Sequence, residues 1–146
     1  MCRFKWILCL CFLAILCCSC NKSYSEFDTE LTGILSKQYG ISIPDSAKLI
    51  EAEYRWVAER DPHLTVVFDI SGGDIRDVFD KQMWSESDII SALSASVGED
   101  TTVEWVHEVN EGTYYYYANM HLEKISTTLY RVHFCGFGVD TQYFEE

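Results

Sequence analysis

Five stretches in which apolar and polar residues alternate constrain the fold of this chain more than any other feature of its sequence. Two lie at 51–56 and 64–70, and three fill the last third of the chain at 102–109, 113–122 and 128–136. Alternation with a period of two is typical of a β-strand with one buried face. Because these strands are grouped and are not interleaved singly with helices, they favour an antiparallel sheet over a doubly wound parallel one.

Helical patterns lie before and between the two groups of strands. Apolar residues recur with helical spacing from Phe27 onwards, and Gly40 is a stop signal. Two further helices are predicted at 75–83 and 85–97, the second with a capping pair at its start. The predicted order is therefore α-β-β-α-α-β-β-β. This order indicates an α+β fold, with a single antiparallel sheet of about five strands and helices packed on one face.

The cysteines are distributed very unevenly. Six of the seven lie within the first twenty residues, and only Cys135 lies beyond them. This distribution excludes a disulfide-stapled miniprotein and a Cys₂His₂ or Cys₄ zinc module in the body of the chain. The same segment has Arg3 and Lys5 ahead of an apolar run at 7–18. That arrangement fits a secretory signal, and the run is too short to span a membrane.

The end of the apolar run resembles the lipobox of bacterial lipoprotein precursors. Ser19 and Cys20 follow two further cysteines and precede a polar stretch. In that family a small residue precedes an invariant cysteine, which is lipidated on sulfur and becomes the mature N-terminus. The resemblance implies that Cys20 is lipidated. One position departs from the pattern, because Cys17 stands where the family prefers Leu. Cys18 is a poorer candidate, since bulky Leu16 and Cys17 would flank the cleavage site.

These features predict the organisation of the whole chain. We expect a lipoprotein-type signal peptide at 1–19, a tether at 20–26 and a single α+β domain at 27–146. Two or more acyl chains hold a protein stably at a membrane, whereas one holds it marginally. The resemblance therefore implies a lipid-anchored protein on the outer side of a cell membrane. If the cysteines are incidental, the alternative is a secreted protein.

The net charge restricts the partners of the domain. Beyond residue 20 the chain has 9 basic and 23 acidic side chains. A surface this acidic repels phosphate backbones, which excludes nucleic acid as a partner. It also repels anionic lipid head groups, so that attachment would depend on the acyl chains. A cationic partner is compatible with this charge.

The register of the last three strands follows from matching their buried faces. The match pairs Val109 with Tyr114, and it sets residues 118–122 against the apolar face of 130–134. Tyr115, Tyr117 and Val106 then share the opposite face. Since tyrosine is enriched where proteins recognise one another, these three residues form a candidate binding surface for a protein, peptide or glycan. The alternatives are that tyrosine simply favours strands, or that the C-terminal residues cover the face.

The histidines and the remaining cysteine offer candidate chemistry. His121 and His133 are predicted as diagonal neighbours on that face, where they could share a metal ion with a glutamate, or could simply be exposed. His133 and Cys135 share a face and could form a thiolate–imidazole pair, the alternative being a half-buried free thiol. His63 is predicted in a loop, and His107 on the buried face. We find no known catalytic or nucleotide-binding motif, and we expect no cofactor.

The sequence therefore favours a membrane-anchored bacterial lipoprotein that is a non-catalytic binding or accessory module. The alternative is a metal-binding protein or small enzyme that uses His121, His133 and Cys135. A structural envelope protein is a third possibility. Neither the ligand nor the type of envelope follows from the sequence.

Overall fold

A computed structural model describes residues 21–57, 61–79, 100–109 and 114–140, together with positions 84, 85, 87, 90, 93, 94 and 96–98. The predicted signal peptide and its lipidation site, Cys20, lie outside the described residues, as do residues 141–146. The described residues form a single antiparallel sheet with one α-helix against one of its faces. The predicted α+β class and the single antiparallel sheet are thus confirmed.

The sheet has six strands, of which five are long and one is a short edge strand. In chain order the elements are β1 (Lys22–Tyr24), α1 (Thr29–Tyr39), β2 (Lys48–Val57), β3 (Asp61–Ser71), a 3₁₀ helix (Ile75–Val78), β4 (Asp100–Val109), β5 (Tyr114–Lys124) and β6 (Leu129–Asp140). Across the sheet the strands lie in the order β1-β2-β3-β6-β5-β4. The last strand of the chain is therefore an interior strand, between β3 and β5.

Helix α1 is held at both ends by interactions that its sequence specifies. The side chain of Asp28 accepts a hydrogen bond from the backbone N–H of Leu31 at 2.7 Å, which caps the first turn. At the other end Gly40 takes a left-handed conformation with φ 61°. The N–H of Gly40 then donates to the carbonyl of Ser36, which is the αL capping arrangement, and the N–H of Ile41 donates to the carbonyl of Leu35.

The core lies between α1 and one face of the sheet. Along the helix Leu31, Leu35 and Tyr39 are fully buried. The sheet contributes alternate residues of its interior strands: Leu64, Val66, Phe68 and Ile70 from β3, Ala118, Met120 and Leu122 from β5, and Tyr130, Val132 and Phe134 from β6. This face, called the inner face below, is buried because α1 and the 3₁₀ helix cover it.

The predicted order of elements is wrong at two places. The first is the tether, where Lys22–Tyr24 pairs with β2 as an edge strand. The second is the helix predicted at 75–83, which is a 3₁₀ helix of four residues. Phe79 leaves it with an extended backbone and forms a bridge with Ile41. One tight turn followed by this bridge already buries Ile75, Val78 and Phe79, whereas Met83, the fourth apolar residue of the predicted helix, lies outside the described residues.

The second helix predicted in this region, at 85–97, is described only in part, because positions 86, 88, 89, 91, 92 and 95 lie outside the described residues. Its described part includes a hydrogen bond from the backbone N–H of Ser94 to the carbonyl of Ile90. Just before it, the indole N–H of Trp84 donates to the carbonyl of Tyr39 at 2.8 Å in a buried position. This contact ties the segment after the 3₁₀ helix to the end of α1.

The predicted register is confirmed for β4 and β5, where Val109 pairs with Tyr114 and Val106 with Tyr117. For β5 and β6 the predicted register is wrong by two residues, because Met120 lies opposite Phe134 and Leu122 opposite Val132, where Val132 and Tyr130 were expected. A shift of two residues leaves the same side chains on the inner face, so the buried faces still match. Strand β6 runs on to Asp140, four residues beyond its predicted end. That extension shapes the opposite face of the sheet.

Candidate functional site

The sheet face that points away from α1, called the outer face below, is the candidate site. On β3, β5 and β6 the side chains of the outer face are half-buried or exposed, whereas those of the inner face are mostly buried. No described helix packs on the outer face. Its residues are 63, 65, 67 and 69 of β3, 115, 117, 119, 121 and 123 of β5, and 131, 133, 135 and 137 of β6.

Four rings form a continuous group on the outer face, called the aromatic row below: His63, Phe137, Tyr117 and Tyr115. The rings of Phe137 and Tyr117 are stacked, with centroids 5.1 Å apart and planes 11° apart. Tyr115 continues the row at 6.2 Å from Tyr117, and His63 lies 6.4 Å from Phe137. On β4, Val106 is the register partner of Tyr117, although its side chain is not among those described. The row thus crosses β3, β6 and β5 near one end of the sheet, where β3 and β5 begin and β6 ends.

Two members of the row escape prediction from the sequence. Phe137 lies in the part of β6 beyond Gly136, which is the predicted end of the strand. The alternation of His133, Cys135 and Phe137 does continue there, but Gly136 and Gly138 on the other face obscure it. The prediction that His63 lies in a loop is also wrong, since β3 already includes it.

Cys135 is a half-buried free thiol, which is the alternative to a thiolate–imidazole pair with His133 that the sequence offers. The thiol of Cys135 contacts the ring of His63, with Sγ and Nε2 separated by 3.2 Å. The reason is that β3 lies beside β6, which brings His63 across from Phe137 and diagonal to Cys135. Burial raises the pKa of the Cys135 thiol. A raised pKa keeps the sulfur protonated, whereas a nucleophilic cysteine needs a lowered one.

His121 and His133 do come together, in a closer arrangement than predicted. They are direct register partners and not diagonal neighbours. Their ring centroids are 5.8 Å apart, with an edge-to-face tilt of 61°. The Oγ1 atom of Thr102 lies 3.4 Å from Nδ1 of His121. No group of three or more His, Cys, Asp or Glu side chains that could hold a metal ion is found in the described part of the chain. The third ligand expected from a glutamate is therefore not seen there. The side chain of His107 lies outside the described residues.

Charges on the outer face are arranged so that its arginines are paired. Arg131 forms two hydrogen bonds with Asp69, of 2.8 and 3.0 Å. The carboxylate of Asp69 raises the pKa of Arg131. Arg55 is paired with Glu53 in the same way. Because carboxylates neutralise both arginines, the remaining acidic residues leave the face negative, in keeping with the charge of the whole chain.

The comparisons with known proteins do not place this chain in a family. No family model, no curated protein and no solved structure matches it. Within the residues that the structure describes, no helix has the length and apolar character needed to cross a bilayer.

Proposed function

We propose that this protein is a membrane-anchored bacterial lipoprotein. We further propose that its α+β domain is a non-catalytic module that binds a basic polypeptide on the outer face. The observation that carries the binding role is the stack of Tyr117 on Phe137, on a sheet face that no described helix covers. The anchoring role is supported by the resemblance of residues 1–20 to a lipoprotein signal, with Cys20 as the lipidated residue.

The chemistry of the face favours a polypeptide partner with positive charge. The stacked rings of Tyr117 and Phe137 cover one another's facing sides. The aromatic row therefore offers a partner its ring edges, its outer ring faces and the tyrosine hydroxyls. Aromatic side chains of this kind are enriched at protein interfaces, and an arginine of a partner can stack on them. In register with the row, β4 places Glu104 and Glu108 on either side of Val106. A partner rich in Lys and Arg therefore matches both the rings and the charge.

The state of Cys135 supports a non-catalytic role. The thiol contacts His63, which is the partner that an activated cysteine would need. However, burial shifts the pKa of Cys135 upward, so this contact joins a neutral thiol to an imidazole. Such a pair packs well in a sheet face but is a poor nucleophile. An enzyme built on Cys135 and His133 has no support in this arrangement.

The anchor is tested with two variants in which serine replaces a single cysteine, either at position 20 or at position 18. Cells expressing wild type, Cys20→Ser or Cys18→Ser are grown with an alkyne-tagged fatty acid, and the protein is then partitioned into detergent. We expect label and partitioning to be lost only in Cys20→Ser. Label that persists in Cys20→Ser, or that disappears in Cys18→Ser, contradicts the assignment of the lipidated residue.

The binding face is tested by photo-crosslinking in intact cells, with a photoreactive residue at position 117 and, as control, at Ser36 on the exposed side of α1. We expect an adduct from position 117 alone, and a crosslinked segment richer in Lys and Arg than in Asp and Glu. Phe137→Ser should weaken the adduct at least tenfold. Ile125→Ser should leave the adduct unchanged. It is a matched control, because Ile125 is 37% exposed and Phe137 is 36% exposed. Equal adducts from both positions, or an acidic segment, would rule out the proposed partner.

A further inference from the structure

We propose that His121 and His133 form a two-histidine binding site for a divalent transition-metal ion such as Ni²⁺ or Zn²⁺. This site is independent of the proposed binding of a polypeptide. Imidazole is a preferred ligand of these ions. The two histidines lie on neighbouring antiparallel strands as direct partners, which holds their Cα atoms at a fixed separation. The site is therefore assembled by the sheet itself.

The distance between the rings fits a shared ion. A metal bound about 2.1 Å from one nitrogen of each ring stands about 3.2 Å from each ring centroid, so two such rings have centroids at most about 6.4 Å apart. The observed separation of 5.8 Å lies within that limit. Tetrahedral coordination corresponds to about 5.2 Å. A shift of roughly half an ångström, within the reach of a small side-chain rotation, brings the rings to that separation.

Thr102 lies beside one of the two ring nitrogens of His121. Its hydroxyl oxygen is 3.4 Å from Nδ1, where it can accept a hydrogen bond from the ring N–H when Nδ1 is protonated. Histidine ligands of metals commonly donate their second ring N–H to an oxygen in this way, which fixes the tautomer. In that tautomer the proposed ion binds Nε2 of His121. Thr102 is thus a positioning residue, and the three side chains form one row across β4, β5 and β6.

The surroundings of the pair suit an exchangeable cation. His133 is exposed and His121 is half-buried, so an ion can reach the rings from solvent and keep water as its other ligands. Glu123 lies two residues from His121 on the same face. The chain as a whole carries a net charge of −12, which raises the local concentration of cations. With two protein ligands the site is a weak, open one and not a structural centre.

The experiment compares Ni²⁺ binding by the full chain and its variants, purified in a mild detergent. Equilibrium dialysis followed by elemental analysis gives the number of ions per chain. We expect His121→Gln and His133→Gln each to bind about one ion fewer than wild type at a concentration that saturates wild type. Because both variants keep every cysteine, any binding by thiols is common to all samples and cancels in the difference.

Two further variants separate binding at this pair from binding elsewhere on the outer face. His63→Gln removes a histidine of the same face that contacts Cys135, and we expect it to bind as wild type does. Thr102→Val keeps the shape of the side chain but removes the oxygen, and we expect it to weaken binding about tenfold, as loss of such a partner commonly does. Circular dichroism confirms that each variant is folded. Unchanged binding in either His121→Gln or His133→Gln, or an equal loss in His63→Gln, would overturn the proposal.

Discussion

The backbone of Gly136 lies against the ring of Tyr39, and this contact leads to a sharp prediction about stability. A Cβ atom added at Gly136 would lie 2.5 and 2.6 Å from two carbon atoms of that ring, and 2.8 Å from the ring of Phe134. Tyr39 is fully buried, and it packs edge-on against Phe134 at 5.0 Å and Tyr116 at 5.6 Å. The ring therefore has no free space into which it can move. We expect Gly136→Ala to strain the core between β6 and α1.

The size of the effect follows from the strain and from the loss of a glycine. Overpacking by a single group costs up to about 3 kcal/mol in a well-packed core. Replacing glycine with alanine also lowers the conformational entropy of the unfolded chain. This effect stabilises the folded state by somewhat less than about 1 kcal/mol and offsets part of that cost. The net loss is about 2 kcal/mol. A folded unit of roughly 120 residues unfolds with an entropy near 0.25 kcal/mol/K, so the midpoint should fall by about 8 °C.

A second glycine supplies the matched control. Gly33 lies in the middle of α1, and a Cβ there meets nothing within 4 Å. Gly33→Ala should raise the free energy of unfolding by about 0.5–1 kcal/mol, because alanine favours a helix. Thermal unfolding followed by circular dichroism compares the two. If Gly136→Ala unfolds at or above the wild-type midpoint, the close packing of Tyr39 on β6 is refuted. In a Tyr39→Leu background the penalty at Gly136 should shrink, which a double-mutant cycle measures.

Three further predictions concern the rest of the domain. Asp28→Ala removes the carboxylate that accepts a hydrogen bond from the N–H of Leu31. Denaturant titration should show the free energy of unfolding lowered by about 1 kcal/mol, and Asp28→Ser should lose much less, because serine also caps a helix. Burial and the hydrogen bond to Glu30 raise the pKa of Tyr24 to about 12, so its contribution to stability is complete below about pH 10 and is lost as the pH rises towards 12. Alkaline unfolding should therefore be less steep in Tyr24→Phe, and an identical pH profile would contradict this. Since burial raises the pKa of Cys135, its alkylation by iodoacetamide should reach half its maximal rate at a higher pH than the alkylation of free cysteine. A midpoint below that of free cysteine would indicate an activated thiol.

Strands β3, β5 and β6 can be predicted from the sequence because each has one buried face. Alternation in β3 and β5 fixes which residues point inward, and a slip of one residue would expose every one of them. Matching of apolar faces is sufficient by itself to pair Val109 with Tyr114. The same rule assigns Tyr115 and Tyr117 to the outer face. Local patterning therefore predicts the strands and their immediate partners.

The features that escape prediction depend on contacts between distant parts of the chain. Nothing local to His63 indicates that β6 will lie beside it, so its contact with Cys135 does not follow from the sequence. The edge strand β1 has only three residues, so its pairing with β2 depends on tertiary contacts and not on a local sequence pattern. The pattern around Ile75–Val78 predicts a longer helix because Ile75, Val78 and Phe79 have helical spacing, yet one turn and the extended residue after it are enough to bury all three.

The position of β6 has a consequence for the order in which the molecule can form. Leu129–Asp140 is the last strand of the chain, yet it separates β1, β2 and β3 from β4 and β5. Until it has emerged from the ribosome, the two groups of strands have no hydrogen-bonded connection to each other, and the sheet cannot close. Pairings between residues so far apart in sequence also form slowly. A nascent chain of this kind therefore stays open until synthesis of β6 is complete, and an open chain is what the export that we propose above would require.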